Sequence, residues 1–364
     1  MVGLFQNNMM LRRRNMMAED SKIVIADDTK YGVAEANAPV VEIMYKKGWC
    51  KNEHYVTQGE CNAITPSMIG DAFQDTTAIE YFDELKYFGS LNVLPDSMFS
   101  GCTELKRVTI PSGCKALNYG IFRNCYALET VNTQGNDFHA TTTMGHAFSY
   151  CQKLKNLDTS NWKLSQCKDF SWMFCGCSSL TTLDTGGWDT SKVPDMGNMF
   201  WGCKSLTTLD VSGWNTESTT SIRGQFGGCW KLEELDMGTW DTSHVTSFYY
   251  YPFYNLIQCY SLRKLNIKNW DTTNFNEFQV VVYSEMEELI LGEGCGKCKN
   301  TMSIDASRST KWVGPSLTTS LLALYDRKTN GLSDCTIKLS SQSYSALGDD
   351  NIATLQTRGY NVTT

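Results

Sequence analysis

A period of 26 residues runs through the middle of the chain and limits what it can fold into. The segments AFSYCQKLKNLDTSNW, MFCGCSSLTTLDTGGWDTSKV, MFWGCKSLTTLDVSGWNTEST and QFGGCWKLEELDMGTWDTSHV place Cys151, Cys177, Cys203 and Cys229 at that spacing. Trp162, Trp188, Trp214 and Trp240 keep the same step, and so do Phe148, Phe174, Phe200 and Phe226. Two looser copies come before, carrying Phe99 with Cys102 and Phe122 with Cys125. After them QCYSLRKLNIKNWDT carries Cys259 and Trp270 following a step of 30 residues, and a worn copy, YSEMEELILG, has Tyr283 where the cysteine belongs. About eight turns therefore span residues 97 to 290.

A unit this short cannot bury its own apolar groups and has to stack on its neighbours. The LxxLxV portion, as in Leu206, Leu209 and Val211, reads as an extended segment with its large side chains on one side. Stacked copies predict a parallel sheet along the whole length of the repeats, each segment supplying backbone partners to the next. The MFxGC portion reads as a tight return with Phe and Cys pointing inward. Asp189, Thr190 and Ser191, like Asp241, Thr242 and Ser243, are short polar side chains expected to bond neighbouring backbone N–H groups at a corner. The tryptophans close the wall there as large apolar plates.

The series Phe174, Cys177, Leu180, Leu183, Asp184, Trp188, Asp189, Thr190, Ser191 resembles the leucine-rich repeats of the BspA-like type, known from bacterial surface proteins and related phage proteins. The resemblance covers over half the chain. It implies an α/β leucine-rich-repeat solenoid used for binding or display: a parallel sheet with short irregular or helical returns, N- and C-terminal caps, and no catalytic residues to carry over. Residues 1–36 are then a docking arm, 37–96 an N-terminal cap, 97–290 the repeats and 291–364 a C-terminal α/β cap. In the N-terminal cap Phe82, Leu85, Tyr87 and Phe88 are available to cover the open end, and the lead-in resembles that of gut-bacterial and phage relatives. The stretch KKGWCKNEHYVTQGE has no calcium-loop pattern, so calcium is not carried over. In the C-terminal part, SLTTSLLALYDRKTNG predicts a helix capped by Ser316 or Thr318, CTIKLS a strand, DDNIATLQTRG a second helix starting on acidic residues, and YNVTT a last extended piece.

Composition bears on the chemistry. The chain has 364 residues, 15 of them cysteine and only 4 histidine, and a formal charge of -7. A mildly acidic balance argues against a nucleic-acid partner, and no apolar run is long enough for a membrane span. Cys102, Cys125, Cys151, Cys177, Cys203, Cys229 and Cys259 come one per turn in a line, which suits a ladder of buried thiols. Disulfides between neighbouring turns or a metal are the alternatives. Cys295 and Cys298 form a CGKC pair that alone would be half a zinc site or a redox couple, its second half having to come from Cys335 or a distant turn. His54, His139, His146 and His244 are scattered and fit no nucleophile or metalloprotease pattern. Asp184, Asp210 and Asp236 recur once per repeat, the mark of a scaffold. No catalytic, cofactor or metal residues are assigned.

The register break is the candidate binding feature. Four extra residues fall between Cys229 and Cys259, where Phe248, Tyr249, Tyr250, Tyr251, Phe253, Tyr254 and Tyr260 crowd together. Insertions in solenoids bulge from one face, and clustered tyrosines suit contact with protein or glycan. The N-terminal stretch, with five methionines and Arg12, Arg13 and Arg14, has no apolar segment of signal-peptide length. It reads as an arm that docks on other virion proteins. The expected function is thus a non-enzymatic phage virion protein, a head fibre, tail fibre or decoration component. It would be oligomeric in its assembly and bind a host surface protein or glycan, or another virion protein, through the solenoid. A bacterial cell-surface adhesin is the alternative.

Overall fold

The computed structural model describes residues 38–53, 56–246 and 258–364. Three helices come first: α1 (Ala38–Lys46), α2 (Gln58–Ala63) and α3 (Pro66–Ile69). α1 turns Val40, Val41 and Met44 inward. α2 begins with a reciprocal cap, Thr57 Oγ1 accepting the Glu60 N–H at 3.2 Å while Glu60 Oε2 accepts the Thr57 N–H at 2.9 Å. Gln58 Nε2 donates to the Tyr87 carbonyl at 2.8 Å, which ties α2 to the single-turn helix Asp83–Tyr87.

A leucine-rich-repeat solenoid follows. Its short strands are all parallel and one turn apart. β1 (Tyr81–Phe82), β2 (Arg107–Thr109) and β3 (Thr130–Asn132) form one sheet, with Phe82, Val108 and Val131 in line. Later turns supply β4 (Glu234–Asp236), β5 (Lys264–Asn266) and β7 (Glu288–Ile290), with Leu235, Leu265 and Leu289 in line. β6 (Glu277–Val281) opens a second wall and is joined there by β8 (Thr301–Ala306), β9 (Cys335–Leu339) and β10 (Tyr360–Thr363), in the order β10-β9-β8-β6. Stacked turns thus begin inside the segment expected to cap the end: Phe73 lies on Phe99 with ring centroids 6.0 Å apart, and β1 pairs with β2.

The expected sheet is not continuous. Between β3 and β4 the LxxLD segments share sparse backbone bonds, Thr181 N to Lys155 O, Thr207 N to Thr181 O and Glu233 N to Thr207 O, at 3.1–3.2 Å. Asp158, Asp184 and Asp210 each accept, on a carboxylate oxygen, the N–H two residues on, as Asn132, Asp236 and Asn266 do at the ends of β3, β4 and β5, so the same turn closes paired and unpaired copies alike. Side chains then link the turns instead: Thr159 donates to the Asp184 carbonyl and Thr185 to the Asp210 carbonyl.

The return is the denser ladder. Phe122, Phe148, Phe174 and Phe200 donate their N–H groups to Ala147, Met173, Met199 and Gln225 of the next turn at 2.8–2.9 Å. The phenylalanine rings stack along the axis, Phe99–Phe122 at 5.4 Å, Phe148–Phe174 at 5.4 Å and Phe200–Phe226 at 5.8 Å. At the corner Trp162, Trp188, Trp214 and Trp240 stack at 6.0, 6.2 and 5.9 Å within 16° of parallel. Trp240 and Trp270 donate their indole N–H to carbonyls of the preceding turn, Val211 and Met237, at 3.0 and 3.2 Å. The corner threonines act differently from the sequence expectation. Asp189 and Asp241 do accept the N–H groups of Ser191 and Ser243, but Thr190, Thr216 and Thr242 are buried and donate to carbonyls of the next turn at 2.9–3.0 Å.

At the far end α4 (Pro315–Leu322), α5 (Ser341–Leu347) and α6 (Asp349–Thr357) pack beside β9 and β10. α4 starts one residue earlier than the predicted cap: Gly314 precedes it, and Pro315, whose missing N–H costs nothing at a first turn, leads it. α6 begins on Asp349 and Asp350 as the sequence indicates. Ser309 donates to the Met286 carbonyl at 3.1 Å and Ser320 to the Leu289 carbonyl, joining this unit to the last turn. At its centre Arg327 is fully buried, its guanidinium donating to the carbonyls of Gly296, Cys298, Asn300 and Ser333 at 2.7–2.9 Å.

Candidate functional site

The cysteines form the most regular chemical feature, and all 15 are buried free thiols. Cys102, Cys125, Cys151, Cys177, Cys203, Cys229 and Cys259 each point the sulfur at the carbonyl of a phenylalanine in the preceding turn, from 2.9 to 3.3 Å. That carbonyl is already taken once. Phe174 O, for example, accepts the Cys177 N–H at 3.0 Å and the Cys203 thiol at 3.2 Å. The thiol fills a second acceptor position that a tight turn would otherwise leave facing apolar core. Burial pushes the Cys259 thiol up to about 12 and raises those of Cys125, Cys151, Cys203 and Cys229 far above the ordinary value, so these sulfurs are poor nucleophiles and poor metal ligands.

The CGKC pair is divided between two tasks. Cys295 takes the corner place of the tryptophans, its thiol donating to the Ile267 carbonyl at 3.3 Å as Trp240 and Trp270 donate to Val211 and Met237. Cys298 instead sits 3.5 Å from Arg327 Nη1, and burial outweighs the nearby cation to hold its thiol at about 11. Among the described residues no group of three or more His, Cys, Asp or Glu is placed to hold a metal ion. His146 lies between Tyr119 and Trp172, stacked on the indole at 5.7 Å, and burial followed by the Arg123 charge lowers its pKa.

The strand side of the solenoid is self-neutralised. Glu80 pairs with Lys106, Asp83 with Arg107, Glu233 with Arg263 and Glu234 with Lys264 between adjacent turns, at 2.6–3.2 Å. Such exposed pairs contribute little stability but set which turn sits on which. Between these ends the central turns present Thr181, Thr182, Thr207 and Thr208, without charge.

The return side is different. The residue after each ladder cysteine faces outward, and in successive turns it is Lys204, Trp230 and Tyr260. Trp230 is 42 % and Tyr260 46 % exposed, in a molecule whose other tryptophans described at the corner are buried. Lys204 Nζ stands 4.5 Å from the Trp230 ring centre; Trp230 and Tyr260 lie 6.4 Å apart, and Tyr260 meets Tyr283 edge-on at 5.1 Å. Tyr283 is fixed in turn by accepting the Gln258 N–H on its hydroxyl at 2.9 Å. These side chains make an aromatic ledge across three turns.

Of the predicted patch, Tyr260 belongs to this ledge; Phe248, Tyr249, Tyr250, Tyr251, Phe253 and Tyr254 lie outside the described residues, as do Arg12, Arg13 and Arg14. Lys204 and Trp230 were not singled out by sequence reasoning, and Tyr283 was read only as standing in for a ladder cysteine. Their signal was partial: the position after the cysteine carries Tyr126 in an early copy and Gln152 or Ser178 in the middle ones, before Lys204, Trp230 and Tyr260 follow on consecutive turns. Among the described residues no helix is long and apolar enough to cross a membrane.

A family model described as "Mycoplasma protein of unknown function, DUF285" matches residues 117–229 and 180–288, together just under half of the chain. No curated protein matches. Among solved structures, a leucine-rich repeat protein from Bacteroides ovatus is 17 % identical over 68 % of this chain, with a TM-score of 0.28. This chain spans 59 % of that protein's length. A leucine-rich repeat protein of Leptospira interrogans is 12 % identical over 75 % of this chain and 93 % of its own, with a TM-score of 0.25.

Proposed function

We propose that this chain is a non-enzymatic display protein whose solenoid presents the Trp230–Tyr260 ledge to a molecule on a host-cell surface or to another protein of its assembly. One observation carries the reading: Trp230 and Tyr260, both exposed, and Tyr283 bring their rings together on the outside of consecutive turns, and clustered aromatics of this size suit a contact surface. The repeat chemistry is in keeping with it: burial raises the Cys203 thiol far above its ordinary value, and Asp184 and Asp210 hold turns through backbone N–H groups. For the carrier the proposal is a phage virion, with the stretch holding Arg12, Arg13 and Arg14 as docking arm and several copies in the assembly; the alternative is a bacterial surface adhesin.

Two measurements test this. Mass spectrometry of purified particles should detect the chain, whereas recovery only from a bacterial envelope fraction would refute the virion carrier and favour the adhesin. Particles or envelopes bearing Trp230→Ala with Tyr260→Ala should lose attachment while the isolated variant keeps its urea midpoint. Full attachment by that variant would remove the ledge from the function.

A further inference from the structure

Each return from Phe99 to Phe226 holds two left-handed positions, two residues before and two residues after the ladder phenylalanine. Other turns use glycine or asparagine there: Gly120, Asn198 and Gly224 at the first, Asn124, Gly202 and Gly228 at the second. Two adjacent turns place rings instead, His146 (φ 57°) and Trp172 (59°) at the first position and Tyr150 (63°) at the second. This conformation crowds Cβ against the backbone, and bulky side chains rarely take it. Burial does not explain the choice. Tyr150 is 40 % exposed, His146 and Trp172 are half-buried, and Tyr119 and Tyr126 of the preceding turn add rings 36 and 42 % exposed. Rings held outward at a cost to the backbone point to a surface in use.

The rings flank one cation. Tyr119 meets His146 edge-on at 5.5 Å, and His146 stacks on Trp172 at 5.7 Å, within 7° of parallel. The Tyr150 ring lies across Gly176 of the next turn, with its hydroxyl bonded to the Cys175 thiol. Arg123 lies between the two groups in the return, and its charge acts on both His146 and Tyr150. Its side chain is exposed and takes part in no ion pair or hydrogen bond among the described residues. Asp169, the carboxylate facing His146, is already held, its two oxygens accepting the Ser171 N–H at 2.9 Å and the Thr143 hydroxyl at 3.3 Å. We propose that Arg123 and these rings bind a glycan that carries a carboxylate, a sialic or uronic acid. The planar guanidinium pairs bidentately with a single carboxylate. Tyr126 and Tyr150 offer exposed ring surface to the apolar C–H side of a pyranose. Size favours a sugar over a protein. In the turn after Trp172 both left-handed positions lose their rings, to Asn198 and Gly202, so the patch runs two repeat steps, the length of a disaccharide. A stable protein partner needs about 800 Å² on each side. The site lies on earlier turns than the ledge and does not rest on it.

The full chain is titrated with 3′-sialyllactose and digalacturonate, with lactose as the neutral control and penta-glutamate as an acidic peptide. Calorimetry and saturation-transfer NMR of the ligand are the readouts. At least one acidic sugar should bind, and lactose should not. Arg123→Gln, a change at an exposed side chain, should bind it at least about tenfold more weakly, with Arg123→Lys between the two. Tyr150→Asn installs the residue that Asn124 holds at the same position, so it should weaken binding while keeping the parent's urea midpoint. Trp230→Ala with Tyr260→Ala should bind the acidic sugar as the parent does; loss of binding there would move the sugar to the ledge and overturn this site. No binding of either acidic sugar up to about 10 mM, equal binding of lactose, or unchanged affinity in Arg123→Gln or Tyr150→Asn also overturns the proposal. Penta-glutamate binding through Arg123 where both sugars fail would put an acidic protein segment in their place.

Discussion

Replacing Cys203 tests why a thiol recurs once per turn. Cys203 is completely buried at the middle of the ladder, and its thiol donates to Phe174 O at 3.2 Å, an oxygen that also accepts the Cys177 N–H. Cys203→Ala removes one buried heavy atom, about 0.8 kcal/mol by transfer, and leaves a small cavity in a stack that cannot collapse along its axis. The lost thiol bond adds little, because Phe174 O keeps its other donor. The sum is about 1.5 kcal/mol. Cys203→Ser keeps a donor but should be worse. A hydroxyl oxygen sits closer to its Cβ than sulfur does, so its contact stretches from 3.2 Å toward the limit of a hydrogen bond. It is then a polar group in apolar core, and the expected loss is about 2–3 kcal/mol. Ser205→Ala, outside the core, serves as the control with almost no effect. The assay is urea unfolding followed by tryptophan emission, comparing midpoints because a repeat protein of this length need not unfold in one step. The order should be control, then Ala, then Ser. A serine variant as stable as the parent would refute the reasoning, since the ladder would then be a hydrogen-bond device rather than a column of small apolar groups.

Three further outcomes follow from the same geometry. Iodoacetamide at pH 8 should leave the native ladder unlabelled and modify all 15 cysteines in denaturant, because a thiol pushed to about 12, such as Cys102 or Cys259, has about a thousandfold less thiolate than a free one; intact-mass spectrometry reads the count. For His146, burial and then Arg123 lower the folded-state pKa, opposed by Asp169, so between that value and the unfolded one of about 6.5 the unfolded chain binds the extra proton. Stability should therefore fall as pH drops below about 6.5 and be flat above it, and His146→Asn should flatten the urea midpoint between pH 7 and 5. Arg327→Met should cost at least about 4 kcal/mol, since four buried carbonyls lose a donor, with Arg327→Lys recovering part; solubility and urea midpoint check this.

Much of the fold was legible because a stacked repeat writes its packing into sequence. Phe, Cys, Leu and Trp return every 26 residues because each must meet its own copy one turn away. The first turn was harder to read. Phe73 carries the ring position and Thr76 stands where the cysteine would be, so the stack begins without its clearest marker. The gap in the sheet was also hidden, since LTTLD looks like any other strand-forming copy and closes on the same turn as ELD of β4. At the candidate site Tyr260 was visible by crowding, whereas Lys204 and Trp230, single residues far from the insertion in sequence, were not.

The chain's sequence by itself determined that it is a solenoid, which residues line its interior, and that its thiols form a column. Those properties repeat, and repetition is a one-dimensional signal. Only the tertiary structure decided what breaks the repetition: which carbonyl each thiol meets, that the return rather than the LxxL segment carries the dense backbone ladder, and that the Tyr150 ring lies across Gly176 of the next turn. Each of these depends on how one turn lies on another, a contact between residues about 26 positions apart whose geometry no single copy contains.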